Sequence, residues 1–335
     1  MRSGAKTIVP SRFDYSAAIQ RSWKEEMLLN VVRRRYLDPP MFMGVQQVIT
    51  QYSFDRSASV FWEGDETLYP GASVAGRWAE SPTITYSPMS GERFMRVLLE
   101  PIPPAALISL VQGGWPIDTV FSIAVRSLNG LNAGSQVPLF KRTGDPQFFE
   151  ALAVLKDLQS NGGFSMRVEQ KAGATGVVAV FRGRDLDQAT LAAGKQARQL
   201  LHLNPEAQEF TLAIGATQKN DTEIAMLTRS LIEILGETSA GVDVPASDED
   251  EGRAVKMRPP GASDLTASFK LRVRSSKDKP PADSAFTAVQ YRKRWFWVDD
   301  RDLTSKSSLS FLLMLFMLAE SGPTPSPPSL TISKP

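Results

Sequence analysis

The chain has 335 residues, of which 42% are hydrophobic and 22% charged, so it is long enough for about two globular domains. Its 38 basic and 36 acidic residues give a formal charge of +2, which provides no overall attraction for nucleic acid or an anionic membrane. It has no cysteine, which excludes disulfides, thiolate nucleophiles and cysteine metal ligands. The opening residues lack an apolar segment, so the sequence as written is expected to carry no signal peptide.

The first third of the chain begins with a predicted helix followed by two predicted strands. After Asp14, apolar residues recur at spacings of three and four, which predicts an amphipathic helix that must end before Pro39. The β-branched and aromatic residues of 45–54 and 83–86 predict strands. Between them, residues 63–81 predict a loop whose length is typical of functional loops.

Three more elements follow in this region. Ser90 can cap a helix over residues 91–100, and the prolines at 103–104 stand where the first turn of a second helix tolerates proline. Residues 120–128 are mostly apolar and predict a strand that ends at the Asn-Gly turn of 129–130.

The middle of the chain shows the clearest periodicity. Apolar spacing, Gly stops and alternation predict a helix, a β-hairpin, a second helix, two strands and a third helix. In chain order these elements lie at 145–160, 164–181, 186–203, 210–214, 223–227 and 230–235. The links between them are short, which leaves little room for parallel crossover connections.

The C-terminal part predicts strands followed by an apolar helix. Residues 265–274 alternate between apolar and polar or basic types, which indicates a half-buried strand with a basic open face. A hairpin over 286–298 closes at the basic turn 292–294. The apolar run 311–319 is far shorter than the roughly 20 residues of a transmembrane helix, so it predicts a core helix. Its expected core residues are Phe311, Leu312, Leu315 and Phe316.

These elements predict an α+β fold of largely antiparallel sheets packed with amphipathic helices, with a C-terminal β-hairpin followed by a buried apolar helix. Acidic, Pro- and Gly-rich residues without periodicity predict a linker or exposed loop, and the Pro-rich end predicts an extended tail. The predicted regions are an N-terminal α+β region 12–133, a middle α/β region 144–236, a linker 237–263, a C-terminal region 264–320 and a tail 321–335.

The common catalytic and cofactor motifs are missing from the sequence. His202 is the only histidine, so serine, cysteine and zinc sites lack their usual base or ligands, and its place at an apolar helix end indicates a structural role. No GxxxxGK[ST], GxGxxG or GxSxG motif occurs. Ser276 and Lys279 match SxxK, but they stand in a Pro-rich loop and not at a helix start. No cofactor is expected.

Three aspartates after the predicted hairpin are the best candidates for an enzyme. Asp299, Asp300 and Asp302 could bind Mg²⁺ or Ca²⁺, because hard cations prefer oxygen ligands. The alternative is a strand-to-helix turn in which an aspartate caps the helix and basic neighbours neutralise the charge. The acidic run 248–251 is interpreted as a solvated segment, because like charges in a linker repel one another.

Two basic clusters could bind phosphates with stacked bases or lipid headgroups, and the alternative is that they are simply solvated. Residues 33–35 are arginines at a helix end, where the dipole favours cations, and residues 292–294 precede two tryptophans. Period two places Phe296 and Val298 on the inner face of the hairpin and leaves the tryptophans as a partly exposed strip. The interaction candidates are Arg292, Lys293, Arg294, Trp295 and Trp297. An anionic membrane surface is a further candidate partner, and nucleic acid is disfavoured.

Four segments together resemble a proteobacterial family without an assigned activity. They are SWKEEMLLNVVRRRYLDPPMFMGV (22–45), TITYSPMSGERFMRVLLEPIPP (83–104), SLNGL (127–131) and the sequence of 286–320. The family consists of cell-envelope proteins described as lipoproteins, so the resemblance implies tethering to a membrane from the periplasmic side. This sequence has neither the signal peptide nor the lipid-accepting cysteine, and a cytoplasmic location is the alternative.

Three functions are compatible with the sequence. The first is a noncatalytic envelope interaction or assembly protein with a protein partner or self-association, because no catalytic set is evident and aromatic and basic residues share a hairpin. The second is a carboxylate- or divalent-metal-dependent enzyme using the three aspartates. The third is a module that binds a small ligand under the loop from Glu63 to Ser81.

Overall fold

A computed structural model describes residues 4–61, 71–135, 137, 142–171, 174–257, 269–281 and 283–320. The chain divides into two compact units. One comprises residues 41–91, and the other combines the chain up to Pro40 with the chain from Glu92 onward. Helices and mostly antiparallel strands occur together, which confirms the predicted α+β class.

The described helices and strands are numbered in chain order. The helices are α1 Gly4–Arg35, α2 Gly91–Leu99, α3 Pro104–Gln112, α4 Ile117–Ala124, α5 Pro146–Ser160, α6 Gln188–Leu200, α7 Leu231–Thr238, α8 Ala246–Asp250 and α9 Leu303–Glu320. The strands are β1 Met43–Phe61, β2 Gly71–Pro88, β3 Val125–Leu128, β4 Leu131–Asn132, β5 Phe164–Lys171, β6 Ala174–Phe181, β7 Glu209–Ile214, β8 Glu223–Thr228, β9 Arg274–Ser276, β10 Ala285–Tyr291 and β11 Arg294–Asp299.

The unit of residues 41–91 is a long two-stranded antiparallel ribbon. Its strands β1 and β2 pair from Met43 with Pro88 to Phe61 with Gly71, with one irregularity near Val45. The predicted loop over 63–81 is therefore wrong for residues 71–81, which belong to β2, because their backbone pairs with 51–61. Residues 62–70 lie outside the described part of the chain.

The other unit contains a six-stranded sheet in the order β4-β3-β8-β7-β6-β5. Its neighbouring strands are antiparallel, except that β7 and β8 run parallel although only residues 215–222 connect them. The predicted boundary between residues 133 and 144 does not divide this sheet, because β3 from the first predicted region pairs with β8 from the second.

Helix α4 corrects the strand predicted over 120–128. Residues up to Ala124 are helical, and only 125–128 form a strand. Ile117, Val120 and Phe121 are all fully buried at helical spacing, and their neighbours are buried as well. A helix buried on nearly every side has the same apolar composition as a buried strand, so periodicity could not separate the two.

The remaining elements of the middle region form where the sequence predicts them. Asp187 caps α6 by accepting a hydrogen bond from the Thr190 amide at 2.8 Å. Asp145 precedes α5 but makes no cap bond, because its carboxylate accepts from the amide of Asn132 at 2.7 Å.

Helix α1 starts at Gly4, well before the predicted start after Asp14.

Residues 237–257 differ from the predicted linker. They contain the end of α7, a short 3₁₀ turn at Ser239–Gly241 and the helix α8. Ala254 and Met257 are buried in the core. Ordered structure is possible in this acidic segment because two of its carboxylates pair with residues at the end of α1, as described below. Residues 258–263 lie outside the described part.

A three-stranded sheet, here called the hairpin sheet, lies near the C-terminal end and has the order β10-β11-β9. Phe269, Leu271 and Val273 are buried and alternate with less buried residues, as predicted, although within 269–276 only Arg274–Ser276 forms a strand. The predicted hairpin is confirmed as β10 and β11. Residues 264–268 lie outside the described part.

Helix α9 follows the hairpin sheet and buries one face. Its core predictions are confirmed for Phe311, Leu312 and Leu315, which are fully buried, whereas Phe316 is half-buried. The opposite face exposes Met314 among other apolar residues. By length and hydropathy α9 also resembles a membrane span, with 33% of that window buried, but a core helix gives the same signal.

The burial of α9 generates a stability prediction. Leu315 is 0% exposed, so Leu315→Ala should leave a cavity and lower the free energy of unfolding by about 2–5 kcal/mol. Met314→Ala is the matched control on the same helix, because Met314 is 42% exposed and should cost far less. Chemical denaturation of both variants measures the difference, and equal losses would contradict the assigned faces of α9.

Candidate functional site

The hairpin sheet has an inner and an outer face. Phe296 and Val298 of the central strand β11 are both 0% exposed, which confirms the prediction that they face inward. The Phe296 ring lies edge-on to the ring of Tyr36, with centroids 6.4 Å apart, so the end of α1 covers this inner face. The face is thereby fixed against the core.

The outer face carries the two tryptophans predicted as an aromatic strip. Trp295 lies between Ser276 of β9 and Gln290 of β10, and Trp297 has an equivalent position between Arg274 and Ala288. Both tryptophans are half-buried. We call these six residues the tryptophan face.

A cation and an ion pair border the tryptophan face. The ammonium group of Lys279 lies 5.2 Å from the centroid of the Trp295 ring, within the range of a cation–π interaction. On the other side, the guanidinium of Arg274 lies 3.2 Å from the carboxylate of Asp299. The tryptophans are therefore flanked by polar groups that are already oriented, an arrangement resembling the polar rim around an interface core.

The turn between β10 and β11 has an unusual backbone for its residues. Arg292 and Lys293 have φ angles of 47° and 63°, in the left-handed region that non-glycine residues seldom adopt. Two such residues make the kind of two-residue turn that matches the twist of a hairpin, where Asn-Gly is the usual choice. Surrounding contacts must compensate for the strain.

Arg292 makes those compensating contacts. Its guanidinium lies 4.5 Å from the centroid of the Tyr36 ring and donates to the Asp38 carboxylate at 3.2 Å. The Tyr291 hydroxyl also donates a hydrogen bond to Asp38. The turn is therefore attached to the residues that follow α1. Arg292 stabilises this attachment and is not a side chain free for binding.

The acidic run 248–251 departs from the solvated interpretation at Asp248 and Glu249, whereas Asp250 and Glu251 are exposed as predicted. The Tyr36 hydroxyl donates to Asp248 at 2.8 Å, and the Arg35 guanidinium donates to Glu249 at 2.6 Å. Arg35 is only 3% exposed, so this ion pair is largely shielded from water. Burial raises the pKa of the Tyr36 hydroxyl, and the bond to Asp248 adds to that effect.

The structure brings the two predicted basic clusters together around Tyr36. Arg292 of the second cluster lies over the ring of Tyr36, the residue that directly follows Arg35 of the first cluster. Positive charge on Arg292 and Arg294 partly opposes the rise of the Tyr36 pKa. Among the described residues, Arg294 Nε and Arg34 Nε have no hydrogen-bond partner. Lys293 is exposed at the turn. Of the predicted basic interaction residues, Arg292 and Lys293 are exposed and Arg294 is half-buried.

The three aspartates after β11 have separate structural partners. Asp299 accepts from the backbone amide of Arg301 at 2.9 Å, and Asp300 pairs with Lys306 at 2.8 Å. Asp302 caps α9, since its carboxylate accepts from the amide and hydroxyl of Ser305 at 3.0 and 2.7 Å. The amide of Arg301, followed by the charges of Arg274 and Arg301, lowers the pKa of Asp299.

This arrangement does not support the predicted metal site. Each carboxylate is turned towards a different partner, and the described residues contain no cluster of three or more potential metal ligands. The competing interpretation, a capped strand-to-helix turn, accounts for the contacts of all three aspartates.

His202 lies in the left-handed region, with φ of 53°, just after α6, and its carbonyl accepts from Gln218 at 2.7 Å, in keeping with a structural role.

Sequence reasoning missed the residues that hold the hairpin sheet in place. Tyr36, Asp38 and Tyr291 form one network, but the chain separates the first two from the third by about 250 residues. The RRRYLD motif and the QYRKR motif are both visible in the sequence. Nothing in either motif alone indicates that they meet.

Comparisons with family models, curated proteins and solved structures found no match to this chain. The fold and the contacts around the tryptophan face are therefore the basis for a functional assignment.

The role of Asp302 can be tested directly. Asp302→Ala removes the cap of α9 and should lower the free energy of unfolding by about 0.5–2 kcal/mol, whereas Asp302→Asn keeps an acceptor and should lose less. Thermal unfolding with and without Mg²⁺, Ca²⁺ or Mn²⁺ distinguishes a cap from a ligand. A metal-induced rise in melting temperature that disappears in both variants would restore the metal hypothesis.

Proposed function

We propose that the protein is a noncatalytic assembly protein that binds a protein partner through the tryptophan face. The observation that carries the proposal is that two tryptophans stand side by side on the outer face of a sheet whose inner face buries Phe296 and Val298 completely. Tryptophan is enriched among the residues that dominate binding energy in protein interfaces.

The surroundings of the tryptophans support binding without a large conformational change. The central strand that carries them also carries Phe296 and Val298, which are locked in the core. On the outer side, Lys279 limits the freedom of the Trp295 ring. A surface held in this way loses little conformational entropy on association, which favours affinity.

The proposed location is the periplasmic side of the cell envelope. The four segments that resemble envelope proteins support it, and two of them, RRRYLD and QYRKRW, meet at the Asp38–Tyr291 contact. Fractionation of cells that express the natural gene with a C-terminal tag tests the location. Recovery in the envelope fraction is expected, and recovery in the cytoplasmic fraction alone would overturn it.

The tryptophan face can be tested with a double variant and a matched control. Trp295→Ala with Trp297→Ala should leave the melting temperature nearly unchanged but weaken partner binding by about 30-fold or more, because interface anchors contribute about 2 kcal/mol or more each. Trp23→Ala is the control, because it removes a tryptophan outside the tryptophan face. Trp23 lies on α1 and is 37% exposed.

The partner is identified by photo-crosslinking from position 290, which borders the tryptophan face. A crosslinked protein that is retained by Trp23→Ala and lost by the double variant supports the proposal. A large fall in the melting temperature of the double variant would show that the tryptophans belong to the core. In that case the proposed binding surface would be withdrawn.

A further inference from the structure

We propose that Asn161 is a site of spontaneous deamidation, at which the folded protein converts this asparagine into aspartate and isoaspartate without an enzyme. The inference goes beyond the tryptophan face, because it concerns the turn between α5 and β5. The sequence contains the pair Asn-Gly twice, at 129–130 and at 161–162. The two pairs differ in their surroundings, and this difference supports the proposal.

The reaction requires only the chain itself and water. The backbone nitrogen of the glycine attacks the side-chain carbonyl carbon of the asparagine and closes a succinimide ring. The side-chain amino group leaves with the proton of the glycine amide as ammonia. Water then adds to one of the two ring carbonyls and opens the ring, which gives either aspartate or isoaspartate. Glycine favours the attack, because it has no Cβ that obstructs its nitrogen.

The side chain of Asn161 is accessible and is not held by other groups. Asn161 and Gly162 are both exposed to solvent. Within the described part of the chain, the Asn161 side chain makes neither a hydrogen bond nor an ion pair. Its amide can therefore rotate towards the nitrogen of Gly162 and can be reached by the water that completes the reaction.

The attacking nitrogen is held only by the end of α5. Gly162 has a φ angle of 69°, and it closes the helix together with Gly163 as a Schellman turn. The amide of Gly163 donates to the carbonyl of Leu158 at 2.8 Å, and that of Gly162 donates to Gln159 at 3.3 Å. The second bond is longer than most N–H···O bonds, and helix ends fray. Opening this one exposed turn therefore releases the nitrogen of Gly162.

The other Asn-Gly pair is held in place on both sides of the asparagine amide. Asn129 is 8% exposed, and its side chain donates to the carbonyl of Leu201 at 2.7 Å. The same side chain accepts from the amide of Ala225 at 2.6 Å. The nitrogen of Gly130 donates to the carbonyl of Ala216 at 2.8 Å. Deamidation of Asn129 therefore requires that buried hydrogen bonds break, which costs more free energy than fraying a helix end.

Isoaspartate at position 161 is expected to disrupt the turn, whereas aspartate is not. Isoaspartate adds one methylene group to the backbone before the next residue. Gly163 has little room to shift, because a Cβ there would lie 2.7 Å from Thr190 and 2.9 Å from Leu158. Its carbonyl also accepts from the amide of Arg182 at 2.9 Å. The longer backbone therefore breaks the Schellman bonds, and α5 loses its stable end.

Peptide mass spectrometry of the folded full-length protein, aged in neutral buffer, measures the reaction at both sites. Each conversion replaces a side-chain amino group by a hydroxyl group, and buffer made with heavy-oxygen water labels the oxygen that enters. Conversion of Asn161 is expected to be about tenfold or more faster than that of Asn129, because its reactive state opens at a lower free energy.

The same measurement in urea separates the effect of the fold from that of the sequence. Both asparagines precede glycine, so their rates should become nearly equal once the chain is unfolded. Equal rates in the folded protein, or faster conversion of Asn129, would overturn the proposal. It would also be overturned if Asn161 stayed intact throughout the ageing of the folded protein.

Two variants test the effect on the turn. Asn161→Gln keeps an amide, but its longer side chain closes a larger ring much more slowly, so an aged sample should keep its native turn. Asn161→Asp has the charge of the products with a normal backbone. Hydrogen exchange at the end of α5 is expected to be faster in the aged natural protein than in aged Asn161→Gln or fresh Asn161→Asp. Equal exchange in a sample that contains isoaspartate would overturn the predicted loss of the Schellman bonds.

Discussion

The buried guanidinium of Arg229 determines how the largest part of the molecule is organised. It donates to the carbonyls of Ser122 and Ile123 at 3.1 and 2.8 Å, and to the carbonyl of Gly134 at 2.6 Å. A buried charge is very unfavourable unless it is hydrogen-bonded. Here the guanidinium donates to carbonyls at the end of α4 that have no partner within the helix. Burial lowers the pKa of Arg229, and the charge of Glu237 partly opposes that effect. One side chain thus joins α4, the end of β8 and the segment after β4.

The contacts of Arg229 join segments that are distant in the sequence, and the sequence could predict only the elements that do not depend on such contacts. Helix α5, the β5–β6 hairpin and the hairpin at Arg292 depend on local spacing and turn residues, and they form where predicted. By contrast, α4 and the pairing of β3 with β8 depend on contacts across about 100 residues, such as the bond from the amide of Ala225 in β8 to the side-chain oxygen of Asn129 at 2.6 Å. Periodicity carries no information about such partners.

The candidate site shows the same division between local and distant information. Alternation along β11 correctly separates the inward Phe296 and Val298 from the two tryptophans. It could not reveal that Arg292 stacks on Tyr36, nor that Asp248 and Glu249 pair with residues of α1. From the sequence alone, charged residues in a linker-like segment could be solvated in many equivalent arrangements. The buried guanidinium of Arg35 favours one of them, because it requires an acidic partner.

The proposed binding by the tryptophan face depends on how that face is supported. It lies on a sheet fixed by Phe296 and by the Arg292–Asp38 ion pair, so the energy of the proposed binding would come from burying side chains on a surface that is already ordered. A rigid surface of this kind selects a partner by shape.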